Sequence, residues 1–429
     1  MLTNTYLPHV GGVARSVSGL TQGLLQRGHK VLVIAPEFPG AQQTDDHVFR
    51  VTALQQFAGS DFSMPLPLTW QLSDAIDAFE PDLIHTHHPF LLGDTALRVA
   101  ASYQVPIIFT YHTRYELYGH YVAQDSEWLK RLVLSLAHGY CELCDHVIAP
   151  SRSIQDHLIA NGVHTPISVI PTGTDISAFA SGNRERGRER WNIPSNAFVV
   201  GHVGRLAPEK NLEKLTQSLI SFLNQESTAY CLVTGDGGSK AAMQKAFSDA
   251  GLEARVRFTG VLTGEALSDA YASQDVFAFT SISETQGLVL VEAMAAQVPV
   301  VALDAPGARE VVQHGKNGHL LPKDATITTI AAALKEIAAA SPEHRARLRR
   351  HAGQTALNFS ADLCLDHVLQ LYGHAINHGA KGNVREASTW DTAQRRLERE
   401  FDIVSNFANA ISDAVMLPPD MPASDQTAP

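Results

Sequence analysis

The chain alternates short β-branched runs with longer helical patterns, and this alternation occurs in two series separated by a polar stretch. The first series includes KVLVIAP from Lys30, DLIHTH from Asp82, VPIIFTYH from Val105 and HVIAPS from His146. The second includes FVVGHVGRL from Phe198, AYCLVTGDGG from Ala229, DVFAFTS from Asp275 and VPVVALDAPG from Val298. Strands that are apolar on both faces and separated by helices form parallel sheets covered on both sides. The sequence therefore predicts an α/β fold with two doubly wound, Rossmann-like domains.

The predicted domain boundaries follow the points where this alternation stops and restarts. We expect an N-terminal domain over 1–172, a polar linker over 173–197 and a second domain over 198–354. A helix over 355–377 is expected to cross back to the first domain, followed by an amphipathic helix within 378–416 and a disordered tail over 417–429. Parallel sheets bind ligands at the carboxyl ends of their strands, so the two domains should face each other across a cleft. The first strand, which precedes Tyr6, is expected to be short, and the sequence leaves open whether it is complete at Met1.

The composition limits the classes of partner that the protein is expected to bind. The 429 residues carry 33 basic and 44 acidic side chains, a formal net charge of −11, which opposes phosphate-driven binding of nucleic acid. No apolar run approaches the roughly 20 residues of a membrane-spanning helix, and no secretory leader is recognisable. Cys141 and Cys144 form a lone CxxC that we interpret as two buried thiols. We therefore expect a cytoplasmic protein whose membrane contact, at the inner face, is peripheral at most.

Two cations follow the first strand of the second series. Arg205 and Lys210 lie in GRLAPEKN, between that strand and the next helical pattern. A planar guanidinium and a compact ammonium at the carboxyl end of a parallel strand suit a diphosphate. The alternative is a pair of solvated surface cations.

Two carboxylates mark the start of an unusually apolar helix in SETQGLVLVEAMAAQVPVV. Glu284 and Glu292 are eight residues apart, which is little more than two helical turns, so they should point to nearly the same side. Gln286 and Gly287 occupy the helix start, where unpaired backbone N–H groups can meet an oxyanion. A carboxylate in so apolar a helix needs a partner. A sugar or ribose hydroxyl pair would serve, and so would a buried Arg.

Polar side chains also follow strands of the first series. His87 and His88 come after one strand, and His112, Arg114 and Tyr115 come after another. We expect His112 to hydrogen-bond a polar substrate, with the other four on the acceptor side. A histidine metal site is the alternative, but no carboxylate or Cys stands at a ligand spacing beside them, so no metal is predicted.

Three further features have two interpretations each. Gly11 and Gly12 either let a ligand approach the first helix or form a tight turn. The segment SEWLKRLVLSLAHGY, with Trp128, either lies on a membrane or packs on the sheet, and packing is favoured.

The C-terminal helix has apolar residues at 3–4 spacing, which either dock on the chain or form a coiled coil, and docking is favoured. They are Trp390, Leu397, Phe401, Val404, Ala408, Ile411 and Val415, after a capping box of Ser388 and Asp391.

Taken together, these motifs resemble the family 4 retaining glycosyltransferases of the GT-B fold. The resemblance covers residues 1–375 through PHVGGV, HTHHPF, YHTRYELYGHY, VIPTGTD, GRLAPEKN and SETQGLVLVEAMAAQVPVVA, whose last member contains the family's Glu-x7-Glu signature. The YHTRYELYGHY variant is similar to diacylglycerol glucosyltransferases and phosphatidylinositol mannosyltransferase-like members. The resemblance implies two Rossmann-like domains and extra C-terminal helices.

The resemblance also implies roles for individual residues. Arg205 and Lys210 match the diphosphate clamp of the UDP- or GDP-sugar donor, and His112 matches a histidine near the anomeric centre. Glu284 matches the contact to the donor sugar, with Gln286, Gly287 and Leu288 as backbone contacts, and Glu292 matches the contact to ribose. Gly11 and Gly12 match the loop that approaches the phosphates.

The implied reaction is hexose transfer to an acceptor hydroxyl, with a lipid or glycolipid as a candidate acceptor, and with retention of anomeric configuration. Attack from the front face, with the leaving diphosphate as base, is the mechanism that the resemblance implies. No cofactor is required, and Mg²⁺ enters only as a counterion of the diphosphate. The alternatives are a GT-B epimerase of sugar nucleotides and an inactive protein that binds them.

Overall fold

The computed structural model describes residues 1–9, 11–38, 45–54, 64–65, 70–115, 126–378 and 389–416. The chain divides into two compact units, Met1–Ile170 with Leu365–Pro429, and Pro171–Cys364. Each contains parallel strands alternating with helices, which confirms the predicted α/β, doubly wound class. The predicted tail over 417–429 and the predicted cap Ser388 lie outside the described residues.

The first unit begins with short strands and five helices. Its strands are β1 (Val33–Pro36), β2 (Val48–Val51), β3 (Ala53–Leu54), β4 (Met64–Pro65), β5 (Ile84–Thr86), β6 (Ile107–Thr110), β7 (His146–Ala149) and β8 (Ile167–Val169). Its helices are α1 (Gly12–Gln26), α2 (Trp70–Phe79), α3 (Leu92–Tyr103), α4 (Glu127–Glu142) and α5 (Arg152–Ala160). Strands β5, β6, β7 and β8 form a parallel sheet in that order, and β1 pairs in parallel with β2.

The first residues of the chain join these two groups of strands. Leu2 N–H donates to the His85 carbonyl at 2.9 Å, and Thr3 N–H donates to the Ile34 carbonyl at 3.0 Å. Leu2 thus bridges β1 and β5, which places it at the centre of the unit. The predicted first strand is present as this bridge.

The second unit has one six-stranded sheet. Its strands are β9 (Val199–Val203), β10 (Tyr230–Thr234), β11 (Val256–Gly260), β12 (Val276–Phe279), β13 (Val300–Leu303) and β14 (Gly318–Leu321). Its helices are α6 (Ile176–Ala180), α7 (Arg184–Arg190), α8 (Leu212–Gln225), α9 (Lys240–Asp249), α10 (Gly264–Ala272), α11 (Leu288–Ala295), α12 (Ile327–Ala339) and α13 (Pro342–Leu357). The strand order is β11-β10-β9-β12-β13-β14, and all pairs are parallel. The order reverses between β9 and β12, where such sheets bind ligands.

The segment 173–197, predicted as a linker, differs from that expectation. It forms α6 and α7, which pack against α10 of the second unit. Arg184 and Arg188 donate to opposite oxygens of Asp275 at 2.5 and 2.8 Å, and Arg186 donates to Asp269 at 2.6 Å. The stretch is polar because its cations pair with acids more than 80 residues away in the sequence, and composition does not reveal such partners.

The last two helices belong mostly to the first unit. The helix predicted over 355–377 is α14 (Ala361–His378), which starts after α13 has ended. Helix α15 (Thr389–Met416) packs against α4 and α3. Its docked face is not the predicted one, because Ala410 and Ala414 are buried while Leu397 and Phe401 remain 73% and 71% exposed.

Helix α4, the candidate for membrane contact, buries Leu136, Tyr140 and Cys141 within its own unit. Cys141 and Cys144 are buried free thiols, as predicted. Within the described ranges, no helix combines the length and apolarity that crossing a membrane requires.

Candidate active site

The loops that follow β9 and β12 are tied together by hydrogen bonds. Asn211 donates its side-chain amide to the Thr280 carbonyl at 3.1 Å, and the Thr280 hydroxyl donates to the Asn211 carbonyl at 3.0 Å. The Ser283 hydroxyl donates to the Glu209 carbonyl at 3.0 Å. Because β9 and β12 are neighbours at the reversal of strand order, these bonds fix two polar loops where a ligand is expected.

An ion pair connects the same two loops. Lys210 Nζ lies 2.7 Å from Glu284 Oε1, and both side chains are only 16–17% exposed. The Ser281 hydroxyl donates to the same carboxylate oxygen at 2.7 Å. Burial favours a raised pKa for Glu284, but the Lys210 charge and the bonds from Lys210 and Ser281 outweigh it, so the pKa is lowered. Glu284 is therefore a carboxylate at neutral pH, able to accept hydrogen bonds from hydroxyl groups.

Arg205 forms a second, more exposed ion pair. Its Nη2 atom lies 2.6 Å from Glu209 Oε1, with the arginine side chain 44% exposed and the glutamate only 4% exposed. The arginine is the accessible member of this pair, so a dissolved anion can reach its guanidinium. The buried Glu209 carboxylate holds the guanidinium in position beside Lys210 and Glu284. The structure places both predicted cations and Glu284 in one set of loops.

The start of α11 follows these loops directly. Gly287 caps the helix with a φ of +71°, a left-handed conformation that favours glycine. The Gln286 side chain accepts a bond from Thr172 N–H at 2.6 Å and donates to the Thr172 carbonyl at 2.9 Å. Gln286 therefore uses its side chain for backbone anchoring. What this turn offers a ligand is the backbone N–H groups at the helix start, including that of Leu288.

The protein side chain that pairs with Glu292 is not the buried arginine that the sequence offered as an alternative. It is buried on α11 and accepts a bond from the Tyr271 hydroxyl at 2.6 Å. Contrary to the prediction, Glu292 and Glu284 do not share one side of a helix, because α11 starts at Leu288 and Glu284 lies outside it. The left-handed turn at Gly287 breaks the helical spacing.

Sequence reasoning missed several residues that shape this site. Ser281 holds the Glu284 carboxylate, and Tyr271 holds Glu292. Gly307, with a φ of +83°, lies so close that an added Cβ would be 2.8 Å from Glu284 Cβ. Ser281 stands three positions from Glu284, so a local pattern could have found it. The other two are brought in by tertiary packing.

The first unit contains a histidine cluster in which His85 and His87 are buried and His88 and His112 are partly exposed. His87 Nδ1 lies 3.0 Å from His112 Nε2, so the two predicted side chains are in contact. His88 Nδ1 accepts a bond from Asn4 N–H at 3.1 Å, which places its proton on Nε2. His85 bonds Tyr372 and Thr110 at 2.6 and 2.7 Å.

Burial controls the charge of this cluster. Desolvation lowers the pKa of His88 and of His112 to about 3, and it lowers the pKa of His85 and His87 well below the usual value. All four rings are therefore neutral at physiological pH. In this state, His112 can donate or accept a hydrogen bond but does not supply a positive charge.

Acidification below pH 6.5 is expected to destabilise the first unit. Unfolded histidine has a pKa near 6.5, above the folded pKa of about 3 for His112, so the unfolded chain binds more protons in this window. Each such histidine should remove about 1.4 kcal/mol of stability per pH unit as the pH falls from about 6 to 4. Urea unfolding of the wild type and His112→Asn at pH 7, 6 and 5 measures this, and the variant should show a shallower loss.

His164→Asn is the matched control, because its side chain is 86% exposed. It should keep the wild-type pH dependence. An identical pH dependence for His112→Asn and the wild type would contradict the assignment of a depressed pKa.

The remaining predicted residues of the first unit have separate positions. Gly11 is the N-cap of α1, and Gly12 is the first residue of that helix. A Cβ on Gly12 would meet no atom within 4 Å, so packing does not require glycine at position 12. Tyr115 packs edge-on against Phe90 and Tyr111. These ring contacts indicate a packing role, and burial raises the pKa of the Tyr115 hydroxyl. Arg114 is partly buried, at intermediate exposure. Among the described residues, no three His, Cys, Asp or Glu side chains are placed to hold a metal ion.

Two family models match most of the chain. Residues 10–178 match Glycosyltransferase Family 4, and residues 183–355 match Glycosyl transferases group 1. The first match covers the first unit from α1 to β8, and the second covers the sheet whose loops hold the two ion pairs.

Similar proteins include enzymes that are named for their donors or their products. A GDP-mannose-dependent alpha-mannosyltransferase of Mycobacterium tuberculosis is 32% identical over 75% of this chain and 83% of that protein. An alpha-monoglucosyldiacylglycerol synthase of Streptococcus pneumoniae is 28% identical over 75% of this chain and 74% of that protein. The sucrose-phosphate synthase structure from Thermosynechococcus elongatus has a TM-score of 0.71 at 21% identity, over 88% of this chain and 98% of that one, and so shares the fold.

Proposed function

Because the chain belongs to the glycosyltransferase family 4 enzymes, we propose that it transfers a hexose from a nucleoside diphosphate sugar to a lipid hydroxyl. The second unit binds the donor, and the first unit provides the acceptor side. The observation that carries the proposal is the Lys210–Glu284 ion pair, with Arg205 beside it, at the reversal of strand order.

The two cations and the carboxylate divide the work on the donor. Arg205 and Lys210 bind the diphosphate and stabilise the charge that grows on it as the sugar leaves. Glu284, ionised because of Lys210, accepts hydrogen bonds from sugar hydroxyls. Backbone N–H groups at the start of α11 add to the stabilisation of the anion. Glu292, oriented by Tyr271, accepts from the ribose.

The chemical step is a substitution at the anomeric carbon. The bond from this carbon to the diphosphate oxygen breaks, and a bond to the acceptor oxygen forms on the same face. Because the new bond forms on the face from which the diphosphate leaves, the configuration is retained. The acceptor proton passes to the departing diphosphate, so no protein base is needed. His112, neutral because desolvation lowers its pKa, is assigned the hydrogen bond to the sugar that the family resemblance implies. Mg²⁺ serves only as a counterion of the diphosphate.

Relatives indicate which donor and acceptor to try first. The Mycobacterium tuberculosis relative is GDP-mannose-dependent, and its identity of 32% exceeds the 28% of the glucosyldiacylglycerol synthase. We therefore propose GDP-mannose as the first donor and UDP-glucose as the second. The lipid product named for the Streptococcus relative supports a lipid acceptor. Neither relative is an epimerase, so the epimerase alternative has no support from them.

A transfer assay tests this proposal. The purified chain is incubated with radiolabelled GDP-mannose or UDP-glucose and with vesicles that contain diacylglycerol or phosphatidylinositol. We expect label to move into the organic phase with one donor and one lipid. Lys245→Ala, which removes a lysine paired with Asp249 on the surface of α9, should leave the rate unchanged.

Other outcomes identify the alternatives. An epimerised sugar nucleotide that forms without any acceptor would indicate an epimerase. Donor binding without turnover on any lipid or sugar acceptor would indicate an inactive binding protein. Either result would overturn the proposed function.

A further inference from the structure

Helix α15 is held on the first unit by one face only. Ala410 and Ala414 are buried against that unit at 1% exposure. Polar contacts complete the docking, since Arg399 donates to the Leu143 carbonyl at 3.1 Å and Asn406 donates to the Leu136 carbonyl at 3.3 Å. A Cβ on Gly139 would lie 1.8 Å from the Asn406 side-chain oxygen, so the helices approach closely. These contacts hold α15 in position, and none of them involves the residues on its opposite face.

The other face is an exposed apolar stripe. We use "α15 stripe" for Leu397, Phe401, Val404, Ala408 and Ile411. Leu397, Phe401, Val404 and Ile411 are 73%, 71%, 63% and 47% exposed. The large side chains of this face expose roughly 500 Å² per chain, which is at the upper end for a monomeric protein. An apolar surface of this size and continuity marks an interaction site.

The spacing within the α15 stripe selects a helix as the partner. Its members follow one another at intervals of four, three, four and three residues. This is the heptad pattern, in which apolar side chains fit into holes between side chains of a facing helix. Phe407, which is 47% exposed, flanks this seam beside Val404 and Ile411. A helix that lies on a bilayer also presents a polar face rich in Lys and Arg.

Charge also opposes a membrane as the partner. Helix α15 contains three Arg and five acidic residues, and the whole chain has a net charge of −11. Two of the arginines, Arg396 and Arg399, donate to Ser102 and to the Leu143 carbonyl on the docked side. Anionic lipid headgroups would therefore be repelled.

We propose that the α15 stripe is a homodimer interface, in which α15 of two copies forms an antiparallel pair. A twofold axis lets one apolar patch serve both partners, because each stripe faces the same stripe. With the axis at the centre of the helix, Leu397 opposes Ala408 and Phe401 opposes Val404, so a large residue meets a smaller one in these layers. Ile411 lies opposite Gln394 at each end of the pair. Together the two stripes can bury roughly 1,000 Å², the lower limit for a specific interface, so the dimer should be reversible.

Charge within the helix favours the antiparallel orientation. Glu398 and Glu400 lie in the N-terminal half, whereas Asp413 is the one charged residue of the sequence from 403 to 416. A parallel pair would place the two copies of Glu398 beside the same seam, and like charges there are destabilising. An antiparallel pair separates them and also opposes the helix dipoles.

Sedimentation velocity of the full chain between about 1 and 100 μM tests the proposal, since the expected affinity of a small interface falls in this range. We expect the wild type to shift from monomer to dimer. The double variant Phe401→Glu/Val404→Glu should stay monomeric with an unchanged melting temperature, because both side chains are exposed. Ile159→Glu, on α5 and 57% exposed, is the control and should dimerise like the wild type.

Disulfide cross-linking tests the orientation. The four natural cysteines are buried free thiols, so added surface cysteines should react selectively. Leu397→Cys/Ala408→Cys should form a covalent dimer on mild oxidation, and Leu397→Cys alone should not. A covalent dimer from Leu397→Cys alone would overturn the antiparallel arrangement.

Two results would overturn the interface itself. One is a dimer that persists in the Phe401→Glu/Val404→Glu variant. The other is a wild type that stays monomeric throughout the concentration range. If that monomer also binds phosphatidylglycerol vesicles and the double variant does not, the α15 stripe is a membrane contact instead.

Discussion

Replacement of Lys210 by alanine is expected to lower kcat/KM for the nucleotide sugar by about 10²–10³-fold, the usual cost of losing one group that stabilises transition-state charge. The ammonium lies 2.7 Å from Glu284, so its loss affects two functions at once. The diphosphate loses a positive charge, and the pKa of Glu284 rises because burial is no longer opposed by Lys210. Steady-state kinetics with a saturating acceptor measures the effect.

Stability should change much less than activity. The pair is partly exposed, at 16–17%, so the free energy of unfolding should fall by about 1–3 kcal/mol, less than for a fully buried pair. Lys245→Ala, which breaks a surface pair of similar geometry, should change neither quantity. A kcat/KM for Lys210→Ala within about threefold of the wild type would contradict the diphosphate role.

Gly307→Ala is expected to lower kcat/KM by about 10²-fold, although residue 307 carries no chemistry. The added Cβ would lie 2.8 Å from Glu284 Cβ and 2.9 Å from the Gln286 carbonyl carbon. Both atoms belong to the segment that holds the site carboxylate, so this segment must shift. Crowding and the positive φ together should cost about 2–4 kcal/mol of folding stability. Kinetics and urea unfolding of the same preparation measure both effects.

Gly315→Ala separates crowding from backbone strain. Gly315 has a similar φ of +74°, but an added Cβ would meet no atom within 4 Å. This variant should lose about 1–2 kcal/mol of stability and keep its kcat/KM. Equal losses of activity in the two variants would contradict the assigned role of Gly307 in positioning Glu284.

Much of the fold could be predicted because its strands are short and apolar on both faces. The runs at Lys30, Asp82 and Phe198 each contain a strand of a parallel sheet. The segment over 173–197 could not be predicted, since its arginines are stabilised by Asp269 and Asp275, far away in the sequence. Periodicity describes one element at a time and does not report such pairing.

The candidate site was predictable where its residues follow strands. Lys210 and Glu284 stand after β9 and β12, and strand adjacency brings them into contact. Tyr271 and Gly307 were not predictable, because packing alone brings them to Glu292 and Glu284. The C-terminal helix shows a different limit. Its heptad pattern was visible in the sequence, but the face that docks on the first unit is the less apolar one.

Calorimetric titration of GDP, GDP-mannose, UDP and UDP-glucose into the wild type and Lys210→Ala tests the central claim most directly. That claim is that the loops after β9 and β12 bind the donor's diphosphate through Lys210 and Arg205. We predict that one nucleotide pair binds the wild type and that its affinity falls at least about tenfold, or 1.4 kcal/mol, in Lys210→Ala. Binding of equal strength to both proteins, or no binding of any of the four to the wild type, would contradict the account.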